Sequence, residues 1–405
     1  MRNIAVFIML FAMLFAGCGK KESSLFENAR NEKDPVKAAR LYDKILSEHP
    51  RHPGALAARG LISLDAGRYT PAIEDFTAAI EADPRSAGPA YNLRARAYAR
   101  MKLFNKALAD VDKAAARNAR SIETLDELGR AFLSAGRAAD AVRVYRMAVA
   151  VNGEAAESRI RLGEALFAVN DQAGAVREFS TVITAAPDKA GRAYLGRCRA
   201  QVYMRQSRAA LADCAQAADR GVTDALALAA DLYSALGDSA TAAGLYARYA
   251  DARPDDYEAA VKLADLLYES GQYGRAADIY ERSVRRYAAP VEADCRAVLS
   301  LMRANRCETA SLVVPVLIKN FHNEGQAYAA TAAYQAYCLK DANRALHSME
   351  SAFRLGFDRF FALEPYGEYG FFLDLIAKNP QYRQMREAAR KNRSAGSCPT
   401  CGGKQ

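Results

Sequence analysis

The run Leu128-Gly129-Arg130-Ala131-Phe132-Leu133-Ser134-Ala135-Gly136-Arg137-Ala138-Ala139-Asp140-Ala141-Val142-Arg143-Val144-Tyr145-Arg146-Met147-Ala148 decides how the rest of the chain is read. Phe132 lies one helical turn after Leu128, and Ala141, Tyr145 and Ala148 stand at i, i+4 and i+7. Apolar residues at that spacing share one face of a helix. Between the two periodic stretches comes Gly136, and glycine tolerates the left-handed conformation in which helices commonly end. The run therefore predicts two helices joined by a tight turn. Gly129 falls inside the first of them, where glycine costs about 1 kcal/mol relative to alanine. That cost is explained if another helix has to approach closely there.

The same pattern recurs outward in both directions. A small residue inside an amphipathic stretch returns at Ala38, Ala72, Ala107, Ala141, Ala175, Ala210, Ala242, Ala276, Ala310 and Ala345, at intervals of 32 to 35 residues. Four residues after each stands Tyr42, Phe76, Val111, Tyr145, Phe179, Cys214, Tyr246, Tyr280, Val314 or Met349. Five residues before, Gly67, Gly136, Gly237 and Gly271 occupy the turn, with Asn170 and Asn305 in the same place. Pro50, Pro84, Pro187 and Pro254 close second helices, and Gly60 and Gly163 repeat the mid-helix position of Gly129. No stretch alternates β-branched residues as a strand would. A period of this length marks a stack of identical supersecondary units.

With Leu-Gly, Tyr or Phe, Ala, Tyr or Phe, Ala and Pro at these spacings, the chain resembles the tetratricopeptide repeat (TPR) proteins. The resemblance implies an all-α fold: an α-solenoid, a right-handed superhelix of about ten TPR-like helical hairpins over residues 25–358. A C-terminal capping segment, residues 359–390, is expected from the aromatic-rich stretch around Phe360, Phe361, Tyr366, Phe371 and Phe372, because a terminal repeat has an apolar face to cover. Residues 391–405 lack apolar periodicity and are expected to form a flexible tail.

The amino terminus carries a separate message. Met1-Arg2-Asn3, an apolar run from Ile4 to Phe15, and small residues before a cysteine make a signal peptide over residues 1–17. Phe15-Ala16-Gly17-Cys18 resembles the lipobox of bacterial lipoproteins, with Phe15 where that family usually has leucine. The resemblance implies cleavage before Cys18, acylation of its thiol, and a polar tether over residues 18–24. Gly19 stands where aspartate would retain such a protein in the inner membrane, so the periplasmic face of the outer membrane is the expected address.

Composition narrows the function. Lys plus Arg number 56 against 47 Asp plus Glu in 405 residues, with both signs spread along the chain. No long basic block lies beside aromatic residues, so nucleic acid is not an expected partner. Four histidines at unrelated spacings argue against a histidine metal site. No nucleophile elbow, phosphate-cradling loop or HExxH is present, so no enzyme activity, cofactor or metal is expected. Cys398-Pro399-Thr400-Cys401 has the spacing of half a zinc ribbon without a second pair. Cys198 and Cys214 would face each other across one hairpin, either as a disulfide or as two buried thiols. Cys295, Cys307 and Cys338 fall outside that register.

In proteins of the resembled family, the first helices of successive hairpins line a groove for peptide segments. In this register the groove position reads Leu61, Arg96, Arg130, Glu164, Arg199, Asp231 and Asp265. Together with Asn92 and Arg100, a basic wall is expected in hairpins three and four, and an acidic one around Asp231 and Asp265. The expected partners are proteins or peptides of the cell envelope, with the membrane reached through the lipid anchor. Two alternatives stand beside this scaffold reading: an accessory ligand-handling protein for an envelope transporter, or a redox or zinc role through Cys398 and Cys401.

Overall fold

The computed structural model describes residues 20–152, 155–286, 291–357, 369 and 372–394. Among the described residues there is no strand, and ten helical hairpins follow one another. Hairpin 1 is Lys20–Asn31 with Pro35–Glu48, hairpin 2 Pro53–Asp65 with Tyr69–Ala82, and hairpin 3 Gly88–Arg100 with Phe104–Ala115. Hairpin 4 is Ile122–Ser134 with Ala138–Val151, hairpin 5 Ala156–Ala168 with Gln172–Ala185, and hairpin 6 Gly191–Tyr203 with Ser207–Asp219. Hairpin 7 is Asp224–Ala235 with Ser239–Ala252, and hairpin 8 Tyr257–Glu269 with Tyr273–Arg286. Hairpin 9 is Val291–Arg303 with Cys307–Asn320, and hairpin 10 Gly325–Tyr337 with Ala342–Arg354. Two further helices, Asp374–Ala377 and Pro380–Ser394, come last.

Local chemistry explains where the helices start. Asp34, Ser121, Asp171, Asp238, Asp256 and Asp341 each accept a backbone N–H of the following first turn. At hairpin 2 the same job falls to His52, whose Nδ1 accepts the Ala55 N–H while Pro53 sets the first helical residue. Such caps satisfy donors that a helix leaves without partners.

All ten repeat alanines lie in second helices and are buried, as is the residue four positions after each. The turn residues take positive φ: Gly67, Gly136, Gly237, Gly271, Asn170 and Asn305. Hairpins 3, 6 and 10 place Lys102, Arg205 and Lys340 in that position with φ of 59°, 59° and 56°. A side chain there costs energy that glycine does not. Lys102→Gly is therefore expected to raise stability by about 0.5–1 kcal/mol, and a denaturation midpoint unchanged or lowered would contradict the strain.

The chain divides into two compact units, Met1–Ala217 and Ala218–Gln405. Among the described residues, the first contains three buried clusters, the largest built around Leu128, Phe132, Tyr145 and Phe179. The second contains one cluster, which joins hairpins 7–10 to Phe357, Tyr369, Phe372, Ile376 and Tyr382. The Tyr337 and Phe372 rings meet edge to face at 5.1 Å. The C-terminal helices thus close the apolar end of hairpin 10.

Two expected boundaries shift. Helix begins at Lys20, inside the stretch expected as a tether, and the last helix runs to Ser394, four residues into the expected tail. Lysine, arginine, glutamate and alanine are good helix formers, and both stretches carry them. The signal peptide, Cys18, the segment from Phe360 to Phe371 apart from Tyr369, and Cys398 with Cys401 lie outside the described residues.

Candidate functional site

The expected groove position lies on first helices, and the structure shows what its charges do there. Arg96 places Nε 2.7 Å from Glu127 of the next hairpin, and Arg100 shares that carboxylate at 2.5 Å. Arg130 pairs with Asp126 on its own helix. Glu164 accepts from Arg192 at 2.8 Å, and Glu157 accepts from Arg192 at 2.9 Å and Arg161 at 3.0 Å. In the second unit Asp231 accepts from Lys262 at 3.1 Å and Asp265 from Arg296. Tyr246 and Tyr280 donate their hydroxyls to the same two aspartates. Burial and Asp231 push the Tyr246 hydroxyl up to about 12, so it stays a donor throughout the accessible range.

These pairs correct the expectation of a basic wall followed by an acidic one. Arg96 with Glu127, Asp231 with Lys262 and Asp265 with Arg296 each stand 31 residues apart. That is one repeat less about one helical turn, and it brings opposite charges together on neighbouring first helices. A wall of one sign would have to hold like charges at helix-packing distance. The result is a compensated ladder, from which Arg130 and Arg199 still expose their side chains to solvent.

Asn92 leaves the expected set. It is 5% exposed, and its Nδ2 donates to the Ala119 carbonyl in the connection to hairpin 4. That bond satisfies a buried backbone acceptor, so Asn92 holds the fold together rather than lining a groove.

Behind the ladder runs a second set of ion pairs that sequence reasoning missed. Arg94 grips Asp110 through two nitrogens at 2.7 and 2.9 Å and the Thr77 hydroxyl of the preceding hairpin at 2.9 Å. Arg197 does the same with Asp213 and Ser180. Arg59 does so with Asp75 and Asp43. Each arginine stands 13 residues before its repeat alanine, and its aspartate three after. A first helix is thereby clasped to two successive second helices. The signal was an Arg and an Asp 16 residues apart in three repeats.

Of the two arrangements the sequence leaves open for Cys198 and Cys214, the structure has the disulfide, and it adds a pairing outside that register. Cys198 and Cys214 form a disulfide with Cα atoms 5.6 Å apart. Cys198 holds the mid-helix place that Gly129 and Gly163 hold elsewhere, and Cys214 the aromatic place, so a covalent bond substitutes for ring packing. Cys307 and Cys338 form a second disulfide between hairpins 9 and 10, also with Cα atoms 5.6 Å apart. Cys307 opens a second helix and Cys338 follows the end of a first one, a pairing between hairpins that a within-hairpin register does not reveal. Cys295 is buried and takes part in neither of these disulfides.

One buried acid lies outside all of these pairs. Asp294, 3% exposed, has an Oδ1 atom without a hydrogen bond, and burial pushes its carboxyl from 3.8 to about 6. Between those values the folded state holds a proton that the unfolded state has lost. The contribution of Asp294 to stability is then greatest below about pH 4, falls as pH rises to about 6 and levels off above. Asp294→Asn is expected to remove that slope and to stabilise the protein at pH 8 by about 1–2 kcal/mol. Parallel stability–pH curves for the two proteins would refute the assignment.

Among the described residues no cluster of three His, Cys, Asp or Glu side chains is arranged for a metal ion, and no helix is long and apolar enough to cross a membrane. The family model of the tetratricopeptide repeat matches residues 27–87, 127–190 and 227–290. No curated protein matches the sequence. Among solved structures, the chain is similar to the C-terminal part of a TPR repeat-containing protein from Cytophaga hutchinsonii. Identity is 16%, with 59% of this chain and 97% of that chain covered and a TM-score of 0.49. It is also similar to Pseudomonas aeruginosa pilF, at 19% identity over 54% of this chain and 97% of that one, TM-score 0.38. A third is YrrB, described as a TPR protein with an unusual peptide-binding site, at 16% identity, 55% and 96% coverage and TM-score 0.36.

Proposed function

We propose that the chain, a tetratricopeptide repeat protein, is a scaffold that binds proteins or peptides in a bacterial cell envelope. The observation that carries this reading is the row of first helices. Within each compact unit several of them present charged side chains at a fixed place, and neighbouring first helices are locked there by ion pairs of constant spacing. A surface built in register offers an extended partner many weak contacts with little ordering of its own side chains.

Anchoring through a lipid on Cys18 is part of the same proposal. It is supported by the small-small-Cys ending of the apolar leader. Two disulfides in one chain also suit an oxidising compartment better than a cytosol. Three acyl chains would hold the protein far more firmly than one, and Gly19 favours the outer membrane.

Crosslinking in intact envelopes tests the scaffold reading. Arg130→Glu with Arg199→Glu alters two exposed side chains of the row and should change the set of captured proteins; an identical set refutes the role of this face. Incorporation of labelled fatty acid should disappear in Cys18→Ser, and persistence of the label would refute the anchor.

A further inference from the structure

The Arg–Asp clasps of hairpins 2, 3 and 6 occupy the space between the hairpin's own second helix and the preceding one. Hairpin 8 does not fill it. Where Arg94 and Asp110 stand in hairpin 3, hairpin 8 has Leu263 and Ile279, and where Thr77 stands on the second helix of hairpin 2, Ala247 stands on that of hairpin 7. The position is therefore floored by small and apolar side chains, and a cavity of about 630 Å3 opens there. The corresponding crevice of hairpin 5, floored by Leu162 and edged by Glu178, is about 200 Å3. Cavities of roughly 300–1,000 Å3 are the size that takes a guest.

The rim of the hairpin 8 slot is charged unevenly. Asp278 is committed to Arg306 at 2.5 Å, and Asp256 caps its helix and accepts the Tyr249 hydroxyl at 2.9 Å. Arg275 donates to the neutral Gln272 side chain, and Arg282 to the backbone carbonyl of Asp278. Among the described residues neither guanidinium faces a carboxylate of its own. Both belong to the second helix of hairpin 8, whereas Asp251 belongs to the second helix of hairpin 7.

We propose that this slot is a docking site for a segment of a partner protein that inserts a bulky apolar side chain flanked by carboxylates. The apolar side chain takes the place that arginine takes in hairpins 2, 3 and 6. The flanking acids meet Arg275 and Arg282, and Asp251 repels them from the second helix of hairpin 7 and so sets the direction of the segment. Two cations without carboxylate partners beside an apolar floor give an acidic segment its advantage over a basic one. The proposal rests on the protein-binding reading but uses the second-helix side, away from the ladder of first helices.

Fluorescein-labelled, capped peptides of sequence GSELESG, GSEAESG and GSKLKSG, titrated into the whole protein by anisotropy, test it. The leucine-centred acidic peptide should bind, and the other two should bind about tenfold more weakly. Ala247→Thr, Leu263→Arg and Ile279→Asp together graft the plug of hairpin 3 into the slot and should abolish binding. Arg275→Glu with Arg282→Glu changes only exposed residues and should reverse the preference toward GSKLKSG. That second variant decides the matter should the first not fold. Equal binding of the three peptides, no binding of any, or an unchanged preference in the double arginine variant overturns the proposal. If it is overturned while the Arg130 and Arg199 variant still alters crosslinking in envelopes, the scaffold reading stands without the slot.

Discussion

Replacing Arg94 with alanine is expected to cost about 3–5 kcal/mol, because the partner left behind is a buried charge. Asp110 is 2% exposed, and the Arg94 guanidinium supplies hydrogen bonds to both of its oxygens. Removing the arginine also frees the Thr77 hydroxyl and takes a cation from between the Tyr91 and Tyr98 rings, 5.4 and 5.7 Å from its Cζ. Alanine restores none of these contacts. Replacing both partners, Arg94→Met with Asp110→Leu, should recover most of the loss, since an apolar pair of similar volume leaves no charge stranded. Hydrogen exchange read by mass spectrometry is the suitable measurement, because repeat arrays need not unfold as one unit. Protection should fall in hairpins 2 and 3 and stay unchanged in hairpins 9 and 10. Arg59→Ala should cost less, because Arg59 and the Asp75 it strands are less buried than Arg94 and Asp110, and its other partner, Asp43, is exposed and replaceable by water. A single variant at Arg94 within about 1 kcal/mol of the parent would remove the clasp from the account of stability.

What the sequence revealed and what it hid follow from the range of each interaction. The alanine–aromatic stripe was legible because its members lie on one helix, where a period of 3.6 residues is a local property. The left-handed turns were legible at Gly67 or Asn170 but not at Lys102, Arg205 or Lys340. There the packed hairpin imposes a conformation that the residue disfavours. The clasp escaped notice because arginine and aspartate on helices are ordinarily solvated, and nothing local marks Asp110 as buried. Register alone could have exposed it, by asking which charges recur at a fixed distance from the repeat alanine. The ladder of first helices hid in the same way. Single charges read at one position suggested walls of one sign, and only the pairing of residues 31 apart shows them compensated. Cys307 and Cys338 are also 31 apart, but they join the start of a second helix to the end of the next first helix, a contact that the spacing of the ladder does not predict.

Phe179→Ala is expected to be as damaging as the loss of Arg94, at about 3–5 kcal/mol, and for a reason that two glycines expose. The ring lies between the first helices of hairpins 5 and 6. A methyl group added at Gly163 would come within 2.6 Å of it, and one at Gly196 within 2.4 Å. Both are shorter than carbon atoms tolerate, and the ring is fully buried with no room to retreat. Gly163→Ala and Gly196→Ala should each cost about 1–3 kcal/mol in the parent, despite the better helix propensity of alanine. In a Phe179→Ala background the obstacle is gone. The same methyl groups would then enter the vacated space and gain both packing and propensity, so each change should become neutral or stabilising. That reversal is a coupling of about 0.5–3 kcal/mol, large enough to resolve in a double-mutant cycle. If Gly163→Ala is equally harmful with and without the ring, the glycine is required by its backbone and not by Phe179. The mid-helix glycine that opened the reading at Gly129, where the Tyr145 ring would lie 2.3 Å from an added methyl, would then need the same revision.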